Sequence, residues 1–216
     1  MVKHAITREP KAILHQVAEE VPIKEITSPR VQRLIEDMSD TLRVSKDGIG
    51  IAAPQIGVPL RIFVASEEAL QLEAVGKQTP RAPLIRGDSV DISPPDKGDE
   101  RGFSKELPKW QHFVFINPKI LKSSRKKVED SEGCLSVPGT FGIVPRAEKI
   151  RVLAYDEQGK KFERGASGLF ARLLQHEIDH LEGHLFLEKA KEMIHITRSH
   201  GDKNRLLAPR LTRLAH

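Results

Sequence analysis

The residues from Ser167 to Leu181 constrain the fold more than any other part of this sequence. They include an unbroken run, Leu-Phe-Ala-Arg-Leu-Leu-Gln-His-Glu-Ile-Asp-His, over residues 169–180. Apolar residues lie on several sides of the predicted helix, which is typical of a helix buried at the centre of a domain. Gly183 is predicted to end it, because glycine is common just past a helix C-terminus. A polar stretch inside such a helix needs a purpose, since burying unpaired polar groups is costly.

Residues 176–180 form an H-E-x-x-H motif. His176 and His180 are four residues apart, so on a helix both imidazoles lie on one face and can bind a single metal ion. Glu177 lies one position round the helix, beside the ion, where its carboxylate could accept a proton from water. The competing interpretation is a charged helix surface that matches the motif by chance, and the apolar flanks argue against it. The pattern therefore predicts a metal-dependent hydrolase.

A catalytic site of this type usually has a third protein ligand, and the residues alone leave its identity open. The extended protease motif would place a histidine where this chain has Phe186, which cannot bind a metal. Glu192 lies about three helical turns beyond His180, and Asp202 lies in a segment without clear secondary structure. Cys134, the only cysteine, suits a metal that also binds imidazole. A lone cysteine is equally well interpreted as a buried structural residue.

A further segment, Gly-Ile-Gly-Ile-Ala-Ala-Pro-Gln over residues 48–55, combines small residues with a polar end. It lacks the glycine and lysine pattern of a phosphate-binding loop. Small residues would let a peptide lie against this backbone, and the Gln55 amide could donate a hydrogen bond to a developing oxyanion. An ordinary tight, glycine-rich turn is the better interpretation of this segment taken alone.

The remaining periodic segments predict a mixed fold. Ser28 and Pro29 are expected to open a helix that runs to about Arg43 with one apolar face. Strands are predicted over residues 60–65, 113–116, 150–155 and 161–164, with a hairpin turn at residues 156–160. Strands that surround one core helix indicate the α+β class.

Two segments stand apart from a single predicted domain at residues 1–188. Residues 66–111 hold five prolines, scattered charge and no sustained period, and are predicted to be an inserted loop. Residues 189–216 carry seven Lys or Arg against two acidic residues, and are predicted to form a basic tail.

Composition narrows the class of protein further. With 216 residues, of which 38% are hydrophobic and 30% charged, the chain is expected to form one folded domain rather than a disordered one. The net charge of +5 favours encounters with polyanions such as RNA without defining a binding site. No apolar run reaches the length of a membrane span, and no secretory-type apolar core follows Met1. A single cysteine excludes an internal disulfide, so a cytoplasmic location is expected.

Three segments together, GIGIAAPQ at 48–55, EGCLS at 132–136 and QHEIDH at 175–180, resemble the signature motifs of peptide deformylases. Their order and spacing agree with that family, except for a longer stretch between the first two. The resemblance implies that Cys134, His176 and His180 bind one divalent ion, Fe²⁺ in the physiological state, with Zn²⁺, Ni²⁺ or Co²⁺ able to replace it. It also implies an α+β fold in which antiparallel or mixed sheets pack around the H-E-x-x-H helix.

The same resemblance implies a reaction, the removal of the formyl group from N-formylmethionine at the N-terminus of newly made proteins. Glu177 would take the proton of the attacking water, and oxyanion charge would fall on the Gln55 amide and the Leu135 N–H. Glu132 is a candidate partner for a ligating histidine. The substrate, an N-formylmethionyl nascent peptide, would contact five residues: Ile49, Gly50, Gly133, Leu169 and Leu173.

Departures from the family pattern bear on the partners. Phe141 stands where some members have an arginine near the substrate, so recognition of the peptide end is expected to differ. The tail resembles ribosome-contacting tails in charge only, so contact near the ribosomal exit tunnel and a solvated basic end both remain open. No DNA or membrane partner is predicted.

Two competing functions are a zinc metallopeptidase of the H-E-x-x-H type and a catalytically silent, ribosome-associated binding protein. Metal binding by Cys134 would favour a deformylase over a metallopeptidase. The complete set of expected catalytic residues argues against the second.

Overall fold

The computed structural model describes residues 5–45, 48–70, 112–195 and 210–213 of the chain. Of the inserted loop predicted at residues 66–111, all but the first five residues lie outside these ranges, as does most of the segment after residue 195. No helix within the described ranges is long and apolar enough to cross a membrane.

Helix α1 spans Pro29–Val44 and begins as the sequence predicts. The Ser28 hydroxyl oxygen accepts a hydrogen bond from the Val31 backbone N–H, and proline occupies the first helical position. Val31, Ile35 and Met38 recur on one face and are buried. The predicted apolar face of α1 is therefore confirmed, and it packs against the sheet.

Five antiparallel strands form the larger sheet. Their order is β1-β2-β3-β6-β7, with bounds Gly50–Ala52, Ile62–Ser66, His112–Ser123, Lys149–Tyr155 and Lys161–Ser167. The predicted strands correspond to β2, β3, β6 and β7, and β3 extends well beyond its predicted end. The hairpin turn between β6 and β7 is confirmed, with Gly159 at φ 76°. Helices and antiparallel sheets together confirm the α+β class.

Helix α1 and a second helix, at residues 168–181, pack against β2 on opposite faces of this sheet. Alternate residues of a strand point to opposite faces, so Phe63 and Ala65 join the apolar cluster of the second helix. Ile62 and Val64 join the cluster of α1. All five residues of β2 are buried for this reason. The strand thus fixes where the second helix lies.

The second helix, α2, spans Gly168–Leu181 and carries the H-E-x-x-H motif. Its C-terminus closes with two hydrogen bonds, from His184 N–H to Asp179 O at 2.9 Å and from Gly183 N–H to His180 O at 3.3 Å. This pattern is a Schellman motif with glycine in the left-handed conformation at φ 77°. A Cβ at Gly183 would also lie 2.8 Å from the backbone of His15. The predicted helix end is confirmed, and two independent reasons require glycine there.

Four further antiparallel strands form a smaller sheet in the order β4-β5-β8-β9. Their bounds are Lys127–Cys134, Val137–Ala147, Glu192–His195 and Arg210–Arg213. Of these, β5, β8 and β9 were not predicted. β5 contains Pro138 and Pro145 together with two glycines, which are ordinarily read as strand breakers. β4 consists mainly of polar residues, so it lacks the alternation of apolar and polar residues that is typical of a strand.

The pairing of β8 and β9 differs from the expectation of a tail that begins at residue 189. Ala190 is buried at 1% exposure, and Met193 packs with it against the smaller sheet. β8 pairs with β5, and β9 pairs with β8. The sequence did not predict that the fold continues past residue 189, because this segment is basic and its buried apolar residues are few and widely spaced.

Candidate metal centre

The smaller sheet and α2 bring together one cysteine and two histidines. Side-chain ligand atoms of Cys134, His176 and His180 all lie within 4.8 Å of one another. The Sγ atom of Cys134, at the end of β4, is 3.2 Å from Nε2 of His180. The two histidines are on one face of α2, as their spacing predicts. These three side chains could hold one metal ion.

The other candidates for a third ligand lie elsewhere. Phe186 stacks on the His176 ring with centroids 6.3 Å apart, so it supports a ligand without being one. Glu192 belongs to β8 and pairs with Ile143 in the sheet. Asp202 lies outside the described residues. Of the described candidates, Cys134 alone lies with both histidines.

The charge distribution of this cluster suits a cation. Burial raises the pKa of the Cys134 thiol, but the imidazoles of His180 and His176 outweigh it and lower that pKa well below its ordinary value. Burial lowers the pKa of His176, but Cys134 and Glu132 outweigh that effect and raise it well above its ordinary value. These shifts favour a thiolate beside a protonated imidazole, and a divalent ion would replace that proton and pair with the thiolate. One thiolate and two imidazoles match the ligands of ions such as Fe²⁺, Zn²⁺ or Co²⁺.

Glu132 orients one of the two histidines. One carboxylate oxygen of Glu132, in β4, lies 3.0 Å from Nδ1 of His176, and the carboxylate is buried. A carboxylate on the second ring nitrogen is the usual companion of a metal-binding histidine. By contrast, the buried Nδ1 atom of His180 has no hydrogen-bond partner within the described part of the chain. The two histidines are therefore held in different ways.

Glu177 is the most isolated carboxylate of the cluster. Its side chain is only 2% exposed, and its Oε2 atom has no hydrogen-bond partner among the described residues. Burial raises its pKa to about 7, against the opposing charges of His176 and His180. A carboxylate with a pKa near neutrality can both accept and return a proton. The carboxylate interacts electrostatically with His176, His180 and Cys134, so it lies close to the candidate ligands.

Gln55 lies in a short 3-10 turn that follows β1 and reaches the end of β4. Its Oε1 atom accepts a hydrogen bond from Ala52 N–H at 2.8 Å. Its Nε2 atom donates to Ser136 Oγ at 3.2 Å and to Cys134 Sγ at 3.3 Å. The amide is therefore fixed beside the candidate ligands.

Gly50 and Leu173 surround the Glu177 carboxylate. A Cβ built on Gly50 would lie 2.5 Å from Oε1 of Glu177 and 2.7 Å from a methyl carbon of Leu173. Ile49 packs against the apolar cluster of α2, and Leu169 lies half-buried in the first turn of that helix. The structure thus places two of the five predicted substrate contacts directly at Glu177.

The remaining predicted residues lie around the end of β4. Leu135 follows Cys134, and its side chain would clash at 2.8 Å with a Cβ on Gly48. The Phe141 ring covers Gly133, because a Cβ there would lie 2.8 Å from the ring. The aromatic ring therefore borders the backbone one residue before Cys134.

Buried charged residues around Glu132 were not predicted from the sequence. Arg146, Arg172 and Asp179 are each less than 10% exposed and form ion pairs or hydrogen bonds within this cluster. One signal was visible, since Arg172 interrupts the apolar run of α2 one turn before His176. That signal did not indicate its partner, Glu132, which lies 40 residues away in β4.

Comparisons with known proteins agree with this geometry. Residues 3–195 match the model of a family described as Polypeptide deformylase. Peptide deformylase 1A of Arabidopsis thaliana, described as chloroplastic/mitochondrial, is 40% identical over 177 residues, which cover 82% of this chain and 57% of that protein. A peptide deformylase of Roseiflexus sp. (strain RS-1) is 37% identical over 169 residues, covering 78% of this chain and 77% of that protein. The chain thus spans little more than half the length of the plant relative.

Solved structures show the same similarity. A peptide deformylase from Legionella pneumophila is 35% identical with a TM-score of 0.63, covering 87% of this chain and 86% of that one. A class I type b peptide deformylase from Acinetobacter baumannii, bound to Met-Ala-Ser, is 31% identical with a TM-score of 0.65. That match covers 87% of this chain and 98% of the other. Sequence and structure point to one family.

Proposed function

The chain belongs to the polypeptide deformylase family, and on that premise we propose that it removes the formyl group from N-formylmethionine at the N-terminus of newly made proteins. The observation that carries this proposal is the convergence of Cys134, His176 and His180 near the buried carboxylate of Glu177, whose Oε2 atom has no hydrogen-bond partner among the described residues. The reaction releases formate and a free amino terminus.

Cys134, His176 and His180 would hold one divalent ion. When bound, such an ion polarises a carbonyl and lowers the pKa of water. Glu177 takes the proton of the attacking water at its free Oε2 atom and returns it to the departing amine. Because its carboxylate is buried, the proton is transferred in a site from which bulk water is largely excluded.

Two donors are proposed to stabilise the oxyanion that forms on the formyl oxygen. One is the Leu135 backbone N–H. The other is the Gln55 amide, which would exchange its contact with Cys134 Sγ for one with the oxyanion. Its remaining hydrogen bonds to Ala52 and Ser136 keep the amide in place during that exchange.

The peptide is proposed to bind as an added strand. Among the described strands, β1 lies at the edge of the larger sheet, so the backbone of Gly50 can pair with an extended peptide. Ile49, Leu169 and Leu173 would line the methionine pocket. Gly133 lies on β4, an edge strand of the smaller sheet, and would approach the peptide from the other side.

The metal, the wider partners and the location are also proposals. Fe²⁺ is proposed as the physiological ion, with Zn²⁺, Ni²⁺ or Co²⁺ as substitutes that the same ligands accept. The ribosome near its exit tunnel is a proposed partner. A cytoplasmic location is proposed, although the relatives include a chloroplastic/mitochondrial form as well as bacterial ones.

Formate release from formyl-Met-Ala-Ser tests the proposed function directly. Protein loaded with Fe²⁺ under anaerobic conditions is expected to release formate and Met-Ala-Ser in equal amounts. A chelator should stop the reaction, and added Fe²⁺ should restore it. Cleavage of the Met-Ala bond without formate would instead support a metallopeptidase, and failure to process the peptide would support a silent binding protein.

Gly50→Ala is expected to lower kcat while the metal content stays unchanged. The new methyl group would lie 2.5 Å from Glu177 Oε1, well inside contact distance, and would displace the carboxylate by a fraction of an ångström or more. Such a displacement costs on the order of tenfold to a hundredfold in rate. Gly165→Ala is a matched control, because no atom of the described residues, its chain neighbours aside, lies within 4 Å of its Cβ position. Unchanged kcat in Gly50→Ala would contradict the proposed placement of Glu177.

A further inference from the structure

Glu132 uses both carboxylate oxygens fully. Its Oε1 atom accepts hydrogen bonds from Arg146 Nε at 2.8 Å and from Arg172 Nη1 at 2.6 Å. Its Oε2 atom lies 2.9 Å from Arg146 Nη2 and 3.0 Å from His176 Nδ1. A carboxylate has about four acceptor positions. All four are therefore occupied, and one faces a candidate metal ligand.

The hydrogen-bond roles in this cluster follow from the arginines. A guanidinium group donates and never accepts, so both arginines hold Glu132 as an ionised acceptor. His176 must then donate its Nδ1–H to Glu132, which leaves the lone pair on Nε2 for a metal ion. The arginines thus select the tautomer of His176 without touching it.

Arg172 contributes something that Arg146 does not. It lies on α2 itself, four residues before His176, so its contact with Glu132 and that of His176 come from successive turns of one helix. One contact fixes Oε1 and the other fixes Oε2. Together they set the plane of the carboxylate relative to α2.

Arg172 is itself held firmly and is only 6% exposed. Its guanidinium also donates to the backbone oxygens of Val144 at 2.9 Å and Val128 at 2.7 Å, in the two strands that carry Glu132 and Arg146. Burying a charge in an apolar helix is costly and requires compensation. These contacts supply the compensation and join α2 to the smaller sheet.

We propose that Arg172 is a positioning residue that acts through Glu132 to orient His176 toward the metal ion. This inference rests on the metal site of the proposed function. A residue that merely joined α2 to the sheet would affect stability alone. A positioning residue must also affect the metal, and that difference can be measured.

The test compares Arg172→Met and Arg172→Lys with wild type and with Arg61→Met. Arg61 is a matched control, because its side chain is 12% exposed and pairs with Glu182 instead of Glu132. Each protein is loaded with Co²⁺, and its visible spectrum and the rate of Co²⁺ loss to a chelator are recorded with its unfolding temperature. These readouts need no deformylase activity, so they stand whether or not formate is released.

Arg172→Met is expected to lose Co²⁺ about tenfold to a hundredfold faster and to show an altered spectrum. Arg172→Lys is expected to recover part of the loss, because an ammonium group can still donate to Glu132 Oε1. Arg61→Met should lower the unfolding temperature with no change in Co²⁺ release. Co²⁺ release in Arg172→Met that matches the Arg61→Met control would overturn the proposal.

A double-mutant cycle with Glu132→Gln keeps the proposal decisive even where Arg172→Met fails to fold. The cycle then uses Arg172→Lys. If Arg172 acts through Glu132, its substitution should change Co²⁺ release much less in the Glu132→Gln background than in wild type. Equal fold-changes in both backgrounds would show that Arg172 acts independently of Glu132 and would refute the inference.

Discussion

Glu177→Gln is expected to bind its metal ion normally and to lose about a thousandfold of kcat on formyl-Met-Ala-Ser. Glutamine has nearly the same shape as glutamate, so it fits the buried space between Gly50 and Leu173. The amide cannot accept the proton of the attacking water. KM should change little, because the substrate contacts proposed around the carboxylate remain.

The control for this substitution is Glu163→Gln. Glu163 lies exposed on β7 and pairs only loosely with Arg151 at 3.7 Å, so its loss should leave kcat unchanged. Metal content measured by mass spectrometry must match wild type in both variants. Formate release by Glu177→Gln within tenfold of wild type would exclude Glu177 as the group that moves the proton.

Cys134→Ser is expected to weaken metal binding by on the order of a hundredfold or more, and to abolish activity at limiting metal. The serine hydroxyl is close in size but is neutral, whereas the two imidazoles hold the Cys134 thiol as a thiolate by lowering its pKa. Loss of one of the three proposed protein ligands removes about 3 kcal/mol of the roughly 10–16 kcal/mol typical of a protein zinc site. A competition titration with a chromogenic chelator measures the change.

Two exposed histidines offer the control for non-specific metal binding. His15 and His184 both lie near Glu188 on the surface, and replacing both with glutamine should leave the metal stoichiometry unchanged. Circular dichroism should confirm that Cys134→Ser is folded. Wild-type metal affinity in that variant would mean that another residue is the third ligand, and would favour the metallopeptidase interpretation.

Helices and strands with a regular pattern of apolar residues were predictable from the sequence. Strands that are stabilised mainly by contacts with distant parts of the chain were not. The apolar face of α1 and the turn glycine between β6 and β7 give local signals that the fold obeys. β5 gives the opposite signals, because Pro138 and Pro145 normally break strands. It forms because its alternate residues, Gly142, Val144 and Arg146, are buried against α2 and β8.

The site divides in the same way. Helical spacing alone predicts that His176 and His180 share a face, and the structure brings their ligand atoms together. The local chemistry around Cys134 left its role open, and only the resemblance of EGCLS to a family motif assigned it, because its ligand partners are two histidines more than 40 residues later. Arg172 was visible as a charge in an apolar run, but the acidic partner that explains it lies on another element.

Cys134 and His180 lie 46 positions apart in the chain, and an ion between them would act as a reversible cross-link. An unfolded chain does not hold this pair together, so much of the free energy of metal binding becomes free energy of folding. The cross-link cannot form until α2 has been synthesised and has docked against both sheets. The amount of metal bound would therefore equal the amount of correctly folded protein. A metal titration would thus measure the folding yield of each variant.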